Sequence, residues 1–290
     1  MTTGKSLFCF GFGYSARALV ESLRDDSWSI AGTSRAPDSH AGLAIRGGSQ
    51  HHFERGRALA DPARALAGVS HLLVSVPPDA EGDPVIDCHG ANIESVTTLS
   101  WIGYLSTVGV YGDWQGAWVD ESSECRPVNE RSRHRLSAER AWLDLGRRAD
   151  VPVQIFRLAG IYGPGRNPIE SARNGTTRRI FKAGQVSSRI HVADIVQVLR
   201  ASMHTPTAGT IYNVCDDEPT PPQDVAAYAC ELAGCEVPPL VPLGEANLSP
   251  MGRSFYAECK RVRNERIKDE LGVALRYPDF RSGLDALAAD

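Results

Sequence analysis

Along the first half of the chain, short apolar runs alternate with segments whose apolar residues recur at helical spacing. Leu7 to Gly11, Ser29 to Thr33, His71 to Val76, Trp101 to Ser106 and Pro152 to Leu158 read as strands. Ser15 to Leu23 brings Ala18, Leu19, Ser22 and Leu23 near one face, and Arg135 to Leu145 spaces Leu136, Trp142, Leu143 and Leu145 in a mixed 3.6-residue pattern. Both segments are predicted to be helices. Strands separated by helices specify a parallel sheet covered by its own crossovers, a doubly wound α/β fold.

Beyond Gly160 the pattern changes. Gly163, Pro164, Gly165 and Pro168 interrupt the chain, and a basic stretch from Arg173 to Lys182 shows no regular period. Val192 to Met203 and Pro221 to Ala233 then read as helices, with Thr210 to Val214 as a strand between them. The expected organisation is a main domain over residues 1–160 and a mixed C-terminal lobe over 161–290. That lobe contributes in part to the main sheet and closes over the carboxyl ends of its strands. Lys260 to Lys268 alternates charge with Val262 and Ile267, predicting an amphipathic surface helix.

Composition narrows the function classes. With 31 Lys+Arg against 35 Asp+Glu and a net charge of −4, there is no global basic field to attract nucleic acid or anionic lipid. Neither class is an expected partner, although a local pocket can still hold a small anion. The seven cysteines, Cys9, Cys88, Cys125, Cys215, Cys230, Cys235 and Cys259, are odd in number and never spaced C-x-x-C, so no metal site is expected and a reducing compartment fits. The N-terminal run reads as a strand entering a glycine loop rather than a leader, and no stretch approaches the ~20 apolar residues of a bilayer span. The cytoplasm is the expected location.

The first strand runs into Gly11-Phe12-Gly13-Tyr14-Ser15-Ala16, and a helix starts at once. In a G-x-G-x-x-[GA] loop the first glycine makes the tight turn and the second lets the backbone approach a pyrophosphate. The third small residue lets helix pack on strand, and the helix N-terminus supplies N–H groups to the anion. Gly11, Gly13, Tyr14, Ser15 and Ala16 are therefore candidate dinucleotide ligands in a Rossmann-type domain. The second strand ends Thr33-Ser34-Arg35 and lacks the acid that usually accepts from the ribose hydroxyls of NAD. Ser34 can donate to a 2′-phosphate and Arg35 can pair with one, so NADP(H) is favoured over NAD(H). Ser75, Val76 and Pro77, at another strand's carboxyl end, are placed to lie along the cofactor, or else form an ordinary turn.

A more specific likeness follows. Ser106-Thr107-Val108-Gly109-Val110-Tyr111-Gly112, Arg157-Leu158-Ala159-Gly160-Ile161-Tyr162-Gly163-Pro164-Gly165, Arg189-Ile190-His191-Val192-Ala193-Asp194 and Ile211-Tyr212-Asn213-Val214 together resemble the extended short-chain dehydrogenase/reductase family of nucleotide-sugar epimerases, dehydratases and reductases. The resemblance covers nearly the whole chain. It implies that Thr107 hydrogen-bonds the substrate's carbonyl or alcohol oxygen. It also implies that Ser106 lies near the cofactor, that Leu158, Ala159, Gly160 and Ile161 lie beside the nicotinamide, and that the protein is a homodimer through the helices flanking the sheet.

The chain departs from that family at its Tyr-x-x-x-Lys pair, which falls on Arg131 and Arg135. Arginine stays protonated at any physiological pH, so Arg131 cannot serve as a conventional acid or base. Arg135 can still bond the nicotinamide ribose and supply a fixed positive charge. Tyr111, Tyr104 and His134 are the candidate replacement proton carriers, Tyr111 being placed four residues past Thr107. Two readings stand: an atypical NADP(H)-dependent oxidoreductase or epimerase acting on an alcohol or ketone such as a nucleotide-linked sugar, or an NADP(H)-binding sensor whose chemistry has been retired. His191 and Asp194 read as local helix-start residues, and Arg173, Arg178, Arg179 and Lys182 either hold a substrate phosphate or are solvated.

Overall fold

The computed structural model describes residues 4–24, 26–35 and 48–289. Its central feature is a seven-stranded sheet in the order β11-β7-β5-β4-β1-β2-β3. These strands are β1 (Ser6–Phe10), β2 (Ser29–Ser34), β3 (Ser49–His52), β4 (His71–Val74), β5 (Trp101–Thr107), β7 (Val153–Leu158) and β11 (Ile211–Val214). The β1–β2, β1–β4, β2–β3 and β4–β5 pairs are parallel. From β1 the chain builds outward through β2 to β3, then returns to lay β4 on the other side, so the order reverses between β1 and β4. That reversal is where an open α/β sheet offers its crevice. The fold is the expected Rossmann-type α/β class.

The predicted strands all form, with short shifts at their ends. The polar segment Ser49–His52 is a strand that its apolar pattern does not announce; it takes its place by register, with Ala31 to Ser34 opposite Ser49 to His52. The helices are α1 (Tyr14–Ser22), α2 (Pro62–Ala65), α3 (Pro84–Glu94), α4 (Glu130–Ala149), α5 (Pro168–Arg173), α6 (Val192–His204), α7 (Pro222–Ala233), α8 (Pro250–Ser254), α9 (Glu265–Asp269) and α10 (Phe280–Ala289). Helix α4 is longer than the apolar pattern predicts. Asn129 caps it by accepting from the Ser132 N–H at 2.9 Å, and Asp150 ends it in the left-handed region at φ 52°.

Contacts divide the chain into two units. Unit 1 comprises Met1–Thr107, Asn129–Arg157 and Val196–Tyr212; unit 2 comprises Val108–Val128, Leu158–Ile195 and Asn213–Asp290. The core of unit 1 packs Phe8, Phe10, Leu72, Tyr104, Trp142 and Ile155 between sheet and helices. Unit 2 holds a smaller cluster of Tyr162, Ile169, Val225, Ala229, Phe280 and Leu284. It also carries three parallel two-stranded ribbons: β8 (Gly160–Tyr162) with β10 (Arg189–His191), β9 (Arg179–Phe181) with β12 (Leu240–Pro242), and β6 (Trp118–Val119) with β13 (Arg261–Val262).

Two expectations for unit 2 are corrected. Lys260 to Lys268 is not one surface helix: the Arg261 and Arg263 N–H groups donate to Ala117 and Val119 carbonyls beside β6, which diverts them from a helical ladder, and only α9 remains helical. Val262 and Ile267 are buried as the alternation implied, but so is Lys260, whose Nζ donates to the Gly112 carbonyl at 3.0 Å and pairs with Glu258. The Arg173 to Lys182 stretch is partly regular, spanning the end of α5 and all of β9, and Arg178, Arg179 and Lys182 each donate to backbone carbonyls. Among the described residues no helix is long and apolar enough to cross a membrane, and no cluster of side chains can hold a metal ion.

His71 opens β4 with its ring between Trp28 and Trp101. Burial pushes its imidazole down from the ordinary 6.5 to about 4. Because the unfolded chain then binds the extra proton first, His71 contributes stability above pH 6.5 that is lost as the pH falls toward 4. Thermal unfolding followed from pH 7 to pH 4 is expected to show a falling midpoint, and His71→Gln should flatten that slope.

Candidate active site

Unit 1 carries the glycine loop at the β1/β4 reversal. Gly11 adopts φ +87°, a conformation that favours glycine, and its neighbours close around it. A Cβ there would lie 2.6 Å from Ser75 Oγ. The Gly11 N–H donates to Thr33 Oγ1 at 2.9 Å, Phe12 N–H to the Thr33 carbonyl at 2.9 Å, and Ser75 Oγ to the Gly11 carbonyl at 2.7 Å. The ends of β1, β2 and β4 are thereby tied into one turn. Ser75 thus acts on the loop itself, while Val76 is half-buried and Pro77 exposed beside it.

Gly13 differs from Gly11. It is the N-cap of α1, makes no side-chain capping bond, and a Cβ placed on it would meet nothing within 4 Å. The backbone is approachable there, and the first N–H groups of α1 point out of the helix end, so the loop meets the requirements of a pyrophosphate site. Tyr14 begins the helix half-buried, whereas Ser15 and Ala16 are buried, Ala16 fully, which is the close packing expected of the third small residue. Ser34 ends β2 and Arg35 follows it, exposed.

The carboxyl end of β5 is organised by a buried charge. Glu139, on α4, accepts from Arg157 Nη2 of β7 at 2.8 Å and from its Nε at 3.2 Å, and it also accepts the Ser106 hydroxyl of β5. The side chains of this pair are 4% and 2% exposed. Ser106 is therefore committed to the interior, whereas its neighbour Thr107 ends the strand half-buried.

One helical turn before Glu139, Arg135 Nη1 donates to the Tyr104 hydroxyl and to the Leu105 carbonyl, both at 3.0 Å. A phenol does lie beside Arg135, but it is in the core: burial raises the Tyr104 hydroxyl well above its ordinary value, more than the guanidinium lowers it. Arg131 is exposed and His134 half-buried on the same helix.

Unit 2 carries the other candidates. Tyr111 is fully buried and its hydroxyl donates to Asn213 Oδ1 at 2.7 Å, while the Asn213 N–H donates to Glu121 Oε1 at 2.8 Å. The turn that follows is fixed at Gly112, with φ +69° and the Arg126 carbonyl where a Cβ would be. Leu158 and Ala159 are buried, Gly160 is exposed and Ile161 half-buried. His191 Nδ1 accepts from the Ala193 N–H at 3.1 Å, a local contact at the helix start, whereas the Asp194 carboxylate accepts the distant Arg276 and Tyr277 N–H groups and so ties α6 to the segment before α10.

Thr33, Glu139, Asn213 and Lys260 do positioning work that the sequence reading does not assign. A Glu one turn past Arg135 on a helix was the only visible hint of the buried pair.

Residues 97–215 match the NAD dependent epimerase/dehydratase family. A solved structure described as a functionally unknown conserved protein from Silicibacter pomeroyi DSS is 51% identical over 99% of each chain, with a TM-score of 0.91. Residues 97–215 are thus an NAD dependent epimerase/dehydratase family domain. Protein YeeZ of Escherichia coli K12 is 25% identical over 293 residues, spanning 95% of this chain and 97% of that protein. UDP-glucuronic acid 4-epimerase from Bacillus cereus, solved in complex with NAD, shares the fold with a TM-score of 0.79 at 15% identity, over 98% of this chain and 96% of that one.

Removing Glu139 would leave the Arg157 charge buried without its carboxylate. Glu139→Ala is expected to cost roughly 3–5 kcal/mol in urea unfolding. Replacing both partners with apolar residues of similar volume should cost less than Glu139→Ala alone.

Proposed function

We propose that this family member binds NADP(H) in preference to NAD(H) and acts as an oxidoreductase or epimerase on an alcohol or ketone, with nucleotide-linked sugars as the substrate class. The observation that carries the reading is the open backbone at Gly13, on a helix N-terminus without a side-chain cap bond, held at the sheet's reversal point by Thr33 and Ser75. Gly11, Gly13, Tyr14, Ser15 and Ala16 would hold the pyrophosphate, and Ser34 with Arg35 would hold a 2′-phosphate. Ser75, Val76 and Pro77 would line the adjoining wall. Leu158, Ala159, Gly160 and Ile161 would face the nicotinamide, as the resemblance implies. When bound, the dinucleotide supplies or accepts a hydride.

The chain's own residues have distinct tasks. Thr107 would orient the reacting oxygen through its hydroxyl. Ser106 would act on the cofactor side only through the strand end, since its hydroxyl already donates to Glu139. Arg135 would set a fixed positive charge beside the ribose while its Nη1 anchors the β5 end. The proton would be carried by Tyr111 or by a bound water. Tyr111 already donates to Asn213, so serving as donor would require it to break that bond.

That same arrangement favours the second reading, a binding protein without turnover. Its fixed cations would hold NADP(H), while its phenols are bonded internally and no acid is assigned. Seven free cysteines support a reducing, cytoplasmic setting, and a small-molecule substrate with a homodimeric assembly completes the proposal.

Calorimetric titration separates these points. NADPH is expected to bind more tightly than NADH, and Arg35→Ala should weaken NADPH roughly 10- to 100-fold while leaving NADH nearly unchanged, the equivalent of one charge-assisted contact. Equal binding of both dinucleotides by the native protein would overturn the preference. In NADPH oxidation assays with a panel of ketones and UDP-sugars, Thr107→Ala should lower turnover at least ~100-fold. Turnover unchanged in Tyr111→Phe assigns the proton to water, and tight NADPH binding with no turnover on any substrate favours the sensor.

A further inference from the structure

Unit 2 contains a buried polar group that none of these assignments uses. Asp216, just beyond β11, is 1% exposed, and among the described residues neither of its carboxylate oxygens has a protein hydrogen-bond partner. The same is true of Arg189 Nη1 on β10 and of the Tyr162 hydroxyl on β8. These groups are neighbours by construction. The Asp216 N–H donates to the Arg189 carbonyl at 2.7 Å, and β8 pairs with β10 in a register that sets Tyr162 opposite His191, two residues along from Arg189 on the same face.

Their charges act on one another. Arg189 opposes the effect of burial on the Asp216 carboxyl, and Asp216 and Tyr162 both oppose the effect of burial on the Arg189 guanidinium. Yet no side-chain hydrogen bond joins them. Arg189 Nη2 instead donates to Ser187 Oγ at 3.1 Å, and the Tyr162 hydroxyl lies against Gly283 of α10, where a Cβ would come within 2.0 Å of it.

Leaving several polar atoms buried and unbonded costs on the order of 1–3 kcal/mol each, so the group calls for a bridging ligand. Its chemistry is restricted by what surrounds it. An anion is disfavoured because Asp216, Asp194 and Asp279 all act on the Tyr162 hydroxyl. A cation is disfavoured by the Arg189 guanidinium. A small neutral molecule that both donates and accepts satisfies every member, and water typically finds about three such partners at buried sites.

We propose that Asp216, Arg189 and Tyr162 frame an internal water site, in which an ordered water accepts from Arg189 Nη1 and donates to the Asp216 carboxyl. This water would tie β10 to the segment after β11 within unit 2. The inference stands apart from the dinucleotide reading and survives its failure.

A crystal structure of the full chain at about 1.5 Å tests it. The expected result is a water molecule within about 2.6–3.2 Å of both Asp216 and Arg189 Nη1. A direct Arg189–Asp216 ion pair, an empty gap or a buffer anion between them would overturn it. Asp216→Leu should lose that water and lower the melting temperature by roughly 5–10 °C, as expected when a buried cation loses its partner. If that variant does not fold, a more conservative substitution gives an independent readout. A crystal structure of the Asp216→Asn variant, which keeps the side chain's shape, should still show the water between residue 216 and Arg189 Nη1, and its absence with the fold intact would overturn the bridge.

Discussion

The buried Glu139–Arg157 pair is the constraint around which the candidate chemistry is arranged. It fastens α4 to β7, the strand that follows it, and, through Ser106, to the earlier strand β5. Two of them end beside residues the family resemblance makes functional: Thr107 follows Ser106, and Leu158 follows Arg157. The third carries Arg135 one turn before the glutamate. A charge pair withdrawn from water is a poor source of net stability, because desolvation offsets most of the attraction. Its value here is directional. A bidentate guanidinium accepts few geometries, so strand end and helix share a fixed alignment that apolar packing alone would leave freer.

Within that frame an arginine at the position the resemblance gives to the family's lysine has a physical meaning. A lysine ammonium is a compact charge that lowers the pKa of a nearby phenol. The Arg135 fork divides its donors between the Tyr104 hydroxyl and a strand carbonyl, so its charge also serves as a structural tie. Tyr104 cannot take over the missing tyrosine's task from its position, since burial holds its proton more strongly than the guanidinium loosens it. Under the proposed function, turnover would therefore move its proton by another route.

Much of the fold was legible because it rests on period and punctuation. Apolar runs in alternation with helical segments gave the sheet, and Gly11, Gly13 and Ala16 gave the loop by steric need. Ser49–His52 was not legible, since an edge strand of polar residues is recruited by its partner's register rather than by its own pattern. The Lys260 to Lys268 segment misled because alternation of charge with Val262 and Ile267 fits a helix, while the carbonyls of residues 117 and 119 that capture its backbone belong to a distant part of the chain. For the site, residue type indicated Gly13, Arg35 and Thr107 as candidates. The partners of Arg135, Ser106 and Tyr111 depended on which side chains the tertiary structure brought to them.

The sheet's order also bears on how this chain can be divided. β11 forms the edge beside β7, yet it lies about fifty residues further along the sequence, after much of unit 2 has been threaded. A fragment ending near residue 160 would leave the backbone donors and acceptors of β7 unpaired along an apolar edge, the kind of surface that recruits strands from other molecules. On the ribosome the same edge is open until the later residues emerge. The sheet is thus not an N-terminal module that can be lifted out intact, and any attempt to graft or express it alone has to supply β11 in another form.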